Sequence, residues 1–235
     1  MGTQRQPVAD RMISVDVKRM AYGGTEILRD IRFTVAPEER LAILGPSGIG
    51  KTTLLRIIAG LIDDFEGEVT GADDLAVVFQ EPTLLPWRSA IENLTLTTGI
   101  STAEAREKLA EVGLTDKGGH YPGQLSLGQQ RRLALVRAFA ANPRLVLLDE
   151  PFASLDEATA ASMVALTARM LASRRIACLL VTHAAEEAVA LTSRALLMAG
   201  RPGMIVGECR IEELPGKPDG DRAQGLRKAL AKAAS

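Results

Sequence analysis

Aromatic side chains are scarce in this sequence: Phe, Trp and Tyr make up 3% of its 235 residues, so a hydrophobic core must be built from aliphatic residues. An excess of one charge is also missing, since the net charge is −1 at pH 7. A nucleic-acid-binding surface needs a basic excess, and this balance therefore argues against nucleic acid as a partner. With 46% hydrophobic and 24% charged residues, the chain has the composition of a globular protein with one sizeable core or two lobes.

Cysteine is rare too. Cys178 and Cys209 lie too far apart in the sequence for the short spacing of a metal-binding motif. Cys178 belongs to the apolar run Ile176–Val181, which predicts a buried structural thiol. No disulfide framework is indicated, as expected for a protein of the reducing cytosol.

Long hydrophobic runs are absent. No apolar segment approaches the roughly 20 residues that a membrane-spanning helix needs. The segment Met1–Asp10 lacks the apolar core of a signal peptide. We therefore expect any membrane role to be peripheral.

The most informative segment is Leu41–Thr53, with the sequence LAILGPSGIGKTT. Its first four residues predict a short buried strand, the glycine-containing stretch a loop, and the apolar-rich residues that follow a helix. This order is typical of a phosphate-binding site, because glycine lets successive backbone N–H groups point inward and the helix N-terminus adds its positive dipole. The predicted phosphate-binding residues are Gly45, Pro46, Ser47, Gly48, Ile49, Gly50, Lys51, Thr52 and Thr53.

Charged and hydroxyl side chains near this loop predict phosphate chemistry. Lys51 is expected to contact the β- and γ-phosphates of a nucleotide, and the Thr52 hydroxyl to bind Mg²⁺. Asp149 and Glu150 end the apolar run Leu145–Leu148. One carboxylate at such a strand end can hold Mg²⁺, and its neighbour can deprotonate the attacking water. For a carboxylate pair alone, an exposed acidic turn would be the commoner interpretation.

Polar side chains at other element ends leave alternatives open. His183 follows the run Ile176–Val181 and is either a structural histidine or a group that faces the γ-phosphate. Gln80 follows the predicted strand Leu75–Phe79 and is either a plain loop residue or a contact to Mg²⁺ or the attacking water. Ser126 opens a predicted long helix, where it is a good N-cap and also part of a possible anion site.

Hydrophobic periodicity predicts an α/β core with a mainly parallel sheet, because apolar strands alternate with helices along the chain. Two alternating strands, joined through residues 22–24, come first. From about Ser89 to Ala141 the pattern is helical and predicts a lobe inserted into the core. The expected organisation is a single domain over residues 1–235, with a core lobe (1–80 and 142–208), a helical lobe (81–141) and a short C-terminal tail (209–235) whose helix is exposed.

Together these motifs resemble those of the nucleotide-binding subunit of an ABC transporter, over roughly Ile13 to Glu208. The resemblance implies a P-loop NTPase (RecA-like) core with a small antiparallel β region and an inserted α-helical lobe. The matching motifs are the adenine-stacking residue (Tyr22), the Walker A loop (Gly45–Thr52), the Q-loop glutamine (Gln80), the ABC signature (Leu125–Gln129), Walker B (Leu145–Glu150), the D-loop (Ser154–Asp156) and the switch histidine (His183).

The resemblance also implies roles for these residues. Two such domains pair head to tail as a homodimer, so that Ser126, Gly128 and Gln129 serve the ATP bound mainly by the partner. The implied cofactors are ATP and Mg²⁺. The implied catalytic residues are Lys51, Gln80, Glu150 and His183, with Glu150 as general base, and the implied Mg²⁺ ligands are Thr52, Gln80 and Asp149.

The implied partner is an integral membrane permease that contacts the chain near Gln80–Trp87, on the cytoplasmic face of the inner (plasma) membrane. An extracytoplasmic solute-binding protein takes part indirectly. Phe152 resembles the importer form of the family, and Leu84–Trp87 and Arg201–Gly203 resemble the branch that takes up nitrate, taurine and alkanesulfonates. No residue of this chain is expected to touch the solute. For Trp87 itself, a loop anchor and a coupling contact remain equal alternatives.

Two positions depart from the family pattern. Leu127 stands where the signature usually has glycine, and Ala184 stands where an acidic residue commonly follows the switch histidine. Leucine is sterically acceptable at position 127 if the backbone there is already helical, and it weakens the site if φ is positive.

Three other classes of function fit the sequence less well than the importer does. A soluble ABC ATPase acting on a scaffold, as in iron–sulfur cluster assembly, is disfavoured by Phe152 and Leu84–Trp87. A DNA-repair or chromosome ATPase would need long coiled-coil or zinc insertions, which this sequence lacks. A nucleotide-gated module with degenerate catalysis is disfavoured by intact Glu150 and His183, although Leu127 keeps it open.

Overall fold

The computed structural model describes residues 12–214 and 219–233. The segment Met1–Asp10, for which no signal-peptide core is expected, lies outside the described residues, as do residues 215–218 and 234–235 of the tail. The strands are β1 (Ile13–Tyr22), β2 (Thr25–Val35), β3 (Arg40–Leu44), β4 (Glu66–Thr70), β5 (Leu75–Val78), β6 (Leu145–Asp149), β7 (Ala177–Thr182), β8 (Arg194–Ala199) and β9 (Met204–Arg210).

The helices include three between β5 and β6 and one at the end of the described chain. They are α1 (Lys51–Ile58), α2 (Ala90–Thr98), α3 (Thr102–Glu111), α4 (Leu127–Ala140), α5 (Glu157–Ala172), α6 (Ala185–Leu191) and α7 (Asp219–Ala233). Within the residues described, no helix combines the length and the apolar character needed to cross a bilayer.

The larger sheet has the strand order β5-β6-β7-β3-β8-β9 in the described part of the chain. Its first five strands run parallel, and β9 is antiparallel to β8. Strands β6 and β7 are buried along their whole length, which explains their uninterrupted apolar sequences: other elements cover both faces of the sheet. The predicted α/β fold with a mainly parallel sheet is confirmed.

Alternate residues of the central strands face two different layers, as the period of a strand requires. Leu147 and Leu179 join a hydrophobic cluster with α1 and a smaller antiparallel sheet. Leu148 and Leu180 join a second cluster, which includes buried residues of α2, α3, α4 and α5. The helical segment therefore packs on one face of the sheet, and the phosphate-loop helix on the other.

The smaller sheet has the order β2-β1-β4 and is antiparallel. Its β1–β2 hairpin turns at Gly23 and Gly24, whose φ angles of 54° and 82° suit glycine in a two-residue turn. Tyr22 and Thr25 form the last pair before this turn. The hairpin therefore places Tyr22 at one end of the smaller sheet.

The two sheets are joined beneath the loop that follows β3. The Gly203 N–H donates to the Ile27 carbonyl at 2.8 Å, and the Gly203 carbonyl accepts from the Arg29 N–H at 3.1 Å. A Cβ atom at position 203 would lie 2.2 Å from the carbonyl oxygen of Ile49. Glycine is needed here because β2 and the phosphate loop approach this turn so closely.

The structure differs from the sequence predictions in two places. The sequence patterns do not predict β9, an edge strand without a clean alternation of buried and exposed residues. The tail helix α7, expected to be exposed, buries Ala223 and Leu226 in a cluster with residues of α6 and β8.

Cys178 lies in β7 and is fully buried, which confirms the prediction of a structural thiol. Burial raises the pKa of this thiol to about 12. The thiolate form, which is the reactive one, is therefore suppressed at neutral pH.

Candidate functional site

The loop between β3 and α1 curls around the ammonium group of Lys51. Lys51 is the first residue of α1, and its N-cap, Gly50, has a φ of 102°. The buried Lys51 Nζ donates to the carbonyls of Gly45 and Pro46 at 2.9 Å each. A Cβ atom at Gly50 would lie 2.7 Å from the Leu28 side chain, so both the backbone angle and the space require glycine.

One side of this loop is anchored and the other is open. Ile49 is buried in the cluster between the two sheets, whereas Pro46, Ser47 and Gly48 are exposed. Gly48, Gly50, Lys51, Thr52 and Thr53 line a cavity of about 240 Å³, together with Tyr22, Ile27 and Glu150. Tyr22 is 51% exposed at the end of the hairpin, so its ring is free to take part in binding. The loop residues and the predicted adenine-stacking residue therefore share one cavity.

The hydroxyl of Thr52 lies at the carboxyl end of β6. It donates to Asp149 Oδ1 at 2.8 Å. Asp149 is 3% exposed, and this burial raises the pKa of its carboxyl, an effect that the hydrogen bond from Thr52 opposes. Gln80, at the end of the neighbouring β5, lines a cavity of about 550 Å³ with Thr52, Asp149 and Arg56. Three oxygen-bearing side chains therefore converge from three elements.

This donor set fits Mg²⁺. Carboxylate, hydroxyl and amide oxygens are the hard ligands that Mg²⁺ prefers, and the ion usually keeps several positions for water and substrate phosphates. Among the residues described, no group of three or more His, Cys, Asp or Glu side chains could hold a metal ion. A metal held here by Thr52, Asp149 and Gln80 would therefore rely on the substrate for part of its coordination.

Glu150 connects the phosphate loop to the predicted switch histidine. One of its carboxylate oxygens lies 3.3 Å from Lys51 Nζ, and the other lies 3.3 Å from His183 Nδ1. Its φ of 43° is in the left-handed region, which is uncommon for a residue with a Cβ atom. The Glu150 N–H donates to the Val181 carbonyl at 2.9 Å, which holds this conformation in place. Strained backbone of this kind is concentrated at functional sites.

No motif in the sequence points to two residues that support His183. The Thr182 hydroxyl, at the end of β7, donates to Glu187 Oε2 at 2.5 Å and accepts from the Ala184 N–H at 3.0 Å. Burial raises the pKa of the Glu187 carboxyl, although this hydrogen bond partly opposes the shift. The available signal was a threonine directly before the histidine and a glutamate in the helix that follows.

The signature residues lie apart from this cluster. Ser126 is the N-cap of α4: its hydroxyl accepts from the Gln129 N–H at 3.3 Å, and Gln129 Oε1 accepts from the Ser126 N–H at 2.9 Å. A Cβ atom at Gly128 would contact Thr159 of α5 at 3.5 Å. Leu127 is the first helical residue and 46% exposed, so leucine meets no backbone strain there. No contact recorded among the described residues joins these side chains to the phosphate loop.

The loop over residues 81–87 is held by polar contacts. Arg137 of α4 donates to one of its carbonyls at 2.9 Å. The Asn93 side chain accepts from the Leu85 N–H at 2.8 Å and donates to the Leu85 carbonyl at 3.1 Å. Trp87, in contrast, is 68% exposed. The side chain of Trp87 is therefore not what anchors this loop.

A phosphate loop after β3, a histidine after the adjacent β7 and a carboxylate pair at the end of β6 beyond it define a nucleoside triphosphate site of the P-loop class. A family model described as "ABC transporter" matches residues 28–153, more than half of the chain. The chain belongs to the ABC transporter family.

Curated relatives are similar over most of the chain. The "aliphatic sulfonates import ATP-binding protein SsuB 1" of Pseudomonas aeruginosa (strain UCBPP-PA14) is 42% identical, covering 82% of this chain and 84% of the relative. The "aliphatic sulfonates import ATP-binding protein SsuB" of Granulibacter bethesdensis is 39% identical, covering 94% of this chain and 98% of the relative.

Solved structures share the fold. The ATP-binding cassette MJ0796, in a dimeric post-hydrolysis state bound to ADP and Pi, has a TM-score of 0.74 and 28% identity, covering 85% of this chain and 98% of its own. An inward-facing "putative metal-chelate type ABC transporter" has a TM-score of 0.75 at 22% identity, covering 92% of this chain and 89% of its own, and supports the fold alone.

Proposed function

We propose that the chain is the ATP-binding and ATP-hydrolysing subunit of a bacterial importer for aliphatic sulfonates or related small anions. The observation that carries the ATPase proposal is the contact series Lys51–Glu150–His183 beside the Thr52–Asp149 pair. The names of the similar proteins support import and aliphatic sulfonates as the solute class. An ATPase that acts on a soluble assembly scaffold is the alternative, and these names do not favour it.

Glu150 is the proposed general base. Its carboxylate takes a proton from the water whose oxygen attacks the γ-phosphorus; the bond from that phosphorus to the bridging oxygen breaks, and the electron pair leaves with ADP. His183 orients the carboxylate through Nδ1 and faces the γ-phosphate. Gln80 orients the attacking water.

Lys51 and the backbone N–H groups of the loop Gly45–Thr53, to which Pro46 contributes none, are proposed to hold the phosphates of ATP. The Lys51 ammonium then exchanges its loop carbonyls for phosphate oxygens, which are stronger acceptors. Thr52, Asp149 and Gln80 hold Mg²⁺, which when bound neutralises charge on the phosphate oxygens. Tyr22 stacks on the adenine ring.

The proposed working unit is a homodimer in which Ser126, Gly128 and Gln129 of one subunit complete the ATP site of the other. The dimeric state of the similar cassette supports this arrangement. Each chain acts as one ATPase domain, with a core lobe (1–80 and 142–208), a helical lobe (81–141) and a C-terminal tail (209–235).

The proposed membrane partner is a permease that contacts Gln80–Trp87 from the bilayer, which places the chain on the cytoplasmic face of the inner membrane. The exposure of Trp87 and the polar anchoring of its loop support this contact. An extracytoplasmic binding protein delivers the solute to the permease and sets its specificity. Purification of the tagged chain from solubilised membranes should recover a multi-span membrane protein; recovery of soluble scaffold proteins alone would contradict import.

Glu150→Gln tests the ATPase proposal. We expect turnover to fall by about 10²–10³-fold while ATP still binds, because the amide cannot accept the proton. The variant should accumulate as an ATP-bound dimer, measured by size-exclusion chromatography with light scattering. Glu107→Gln changes an exposed glutamate of α3 in the same way and should behave as the wild type. Near wild-type turnover in Glu150→Gln would remove Glu150 from the role of base.

A further inference from the structure

The turn that carries His183 is anchored by side chains from two elements. On one side, Thr182 is buried at the end of β7 and pairs with Leu44, the last residue of the strand that leads into the phosphate loop. On the other side, α6 begins at Ala185, with Ala184 as its N-cap. His183 lies between these two fixed points.

The imidazole of His183 is not held by packing. Its side chain is 53% exposed, and the contact between its Nδ1 and Glu150 spans 3.3 Å. Ala184 provides no polar side chain, and the α6 N-terminus has no side-chain cap. The position of the imidazole therefore depends on the backbone of residues 182–184.

Glu187 fixes that backbone through Thr182. A threonine hydroxyl has one hydrogen to donate, and here it goes to the Glu187 carboxylate at 2.5 Å. The oxygen is then free to accept from the Ala184 N–H, which it does at 3.0 Å. The carboxylate thus selects the hydroxyl orientation that holds the residue on the far side of His183.

We infer that Glu187 is a positioning residue for ATP hydrolysis, acting through the Thr182 hydroxyl and the Ala184 N–H to hold His183 against Glu150. This inference rests on the proposed function. The neighbouring Glu186 lies on the other side of α6, where it pairs with Arg227 of α7, and takes no part.

The test compares matched variants by ATPase kinetics. Glu187→Ala and Thr182→Val should lower kcat about tenfold and leave the KM for ATP within twofold, because a displaced group costs most in the transition state. Glu187→Gln and Thr182→Ser keep the acceptor and the hydroxyl and should retain at least half of wild-type kcat. Glu186→Ala is the control from the same helix and should match the wild type.

A double-mutant cycle separates positioning from general stability. In a His183→Ala background, Glu187→Ala should change kcat by less than twofold, since the group it positions is gone. A further tenfold loss in that background would overturn the inference. Wild-type chain without ATP turnover would instead contradict the proposed function.

Histidine-selective NMR provides a readout that needs no turnover. The chain has two histidines, His120 in the helical segment and His183, so each labelled ring gives one assignable signal. Glu187→Ala and Thr182→Val should shift and broaden the His183 signal and leave that of His120 unchanged. An unperturbed His183 signal in both variants would overturn the inference.

Discussion

Two helix N-termini of the core, those of α1 and α6, are built differently from those of the helical segment. The core helix α5 has a side-chain cap, since the Asp156 carboxylate accepts from the Thr159 N–H at 3.0 Å. Helices α2, α3 and α4 each begin with a serine whose hydroxyl and a side chain three residues on form a complete capping box, at Ser89, Ser101 and Ser126. Helices α1 and α6 have Gly50 and Ala184 as N-caps and no side-chain cap. These two helices follow the phosphate loop and His183. The difference shows where stability is given up to keep backbone donors available for a ligand or a catalytic turn.

Helix α4 is capped like the other helices of the helical segment, and its N-terminus is also proposed to bind a ligand. Its capping box satisfies its own first turn, yet the same Ser126 and Gln129 are proposed to serve the partner's nucleotide. A phosphate that approaches this end meets a helix already stable without it. Nucleotide binding should therefore depend on α1 first, and on α4 only when two subunits come together.

Of the variants that test this difference between α1 and α4, Lys51→Ala should have the largest effect. It removes the cation at the uncapped end of α1, and we expect the affinity for Mg·ATP to fall about 100-fold, or ~3 kcal/mol. Isothermal titration calorimetry measures this directly. Lys108→Ala changes a partly exposed lysine in the last turn of α3; it is the control and should bind as the wild type. Unchanged affinity of Lys51→Ala would mean that α1 does not hold the phosphates.

Ser126→Ala should separate the two roles of α4. Loss of the cap destabilises the fold by about 1 kcal/mol. Ser101→Ala removes an equivalent capping box from α3 and should show the same loss in urea unfolding. Only Ser126→Ala should also lower ATP turnover, by about tenfold, with ATP affinity of the monomer unchanged. Equal turnover in the two variants would reduce Ser126 to a structural cap.

Two glycine substitutions test the same difference between α1 and α4 in the backbone. Gly50→Ala forces a Cβ atom into a φ of 102° and against Leu28, so the free energy of unfolding should fall by about 1–2 kcal/mol. Gly128→Ala places a methyl group in a helix with ordinary contact to Thr159 and should raise it by up to about 1 kcal/mol. Urea unfolding of both variants gives the comparison. A Gly50→Ala protein as stable as the wild type would show that the N-terminus of α1 does not require glycine.

Glu187→Gln should have the smallest effect, visible as a pH dependence of stability. Burial raises the pKa of Glu187 above its ordinary 4.5, so its charge destabilises the fold at neutral pH, and protonation relieves this as pH falls through the folded-state pKa. The variant should therefore be the more stable protein at pH 7, with the difference vanishing below the ordinary glutamate range. Thermal unfolding from pH 7 to pH 4 tests the sign. A variant less stable than wild type at pH 7 would contradict a destabilising charge on the partly buried Glu187 carboxylate.

The phosphate loop was predictable because its chemistry is fixed by sequence spacing. Thr52 and Asp149 were both expected as Mg²⁺ ligands, and the structure joins them by a hydrogen bond because the parallel strands β3 and β6 end at the same edge of the sheet. The contact of Thr182 with Glu187 did not follow, because a hydroxyl orientation depends on the path of the chain into α6 and not on a motif. The strand β9 was missed for a related reason: its partner β8 selects it through backbone hydrogen bonds, while its side chains show no clear period.

The packing of α7 was also beyond the sequence patterns. Its apolar residues are two leucines and several alanines, and they suffice because α6 and β8 present small residues such as Ala188 and Ala195 to them. Close approach of two elements through alanine is a property of the pair. The sequence of α7 alone therefore does not reveal that this helix packs on α6 and β8.

The Gly203 turn has a consequence for nucleotide selection. It bonds to β2, whose hairpin carries Tyr22, and it touches Ile49 of the phosphate loop. The end of the cavity where Tyr22 is proposed to stack and the end formed by the phosphate loop are therefore connected through hydrogen-bonded backbone, which fixes the span between them. This fixed span selects ligands by length, because a molecule with a shorter or longer link between its aromatic base and its terminal phosphate can bind at one end of the cavity but not at both.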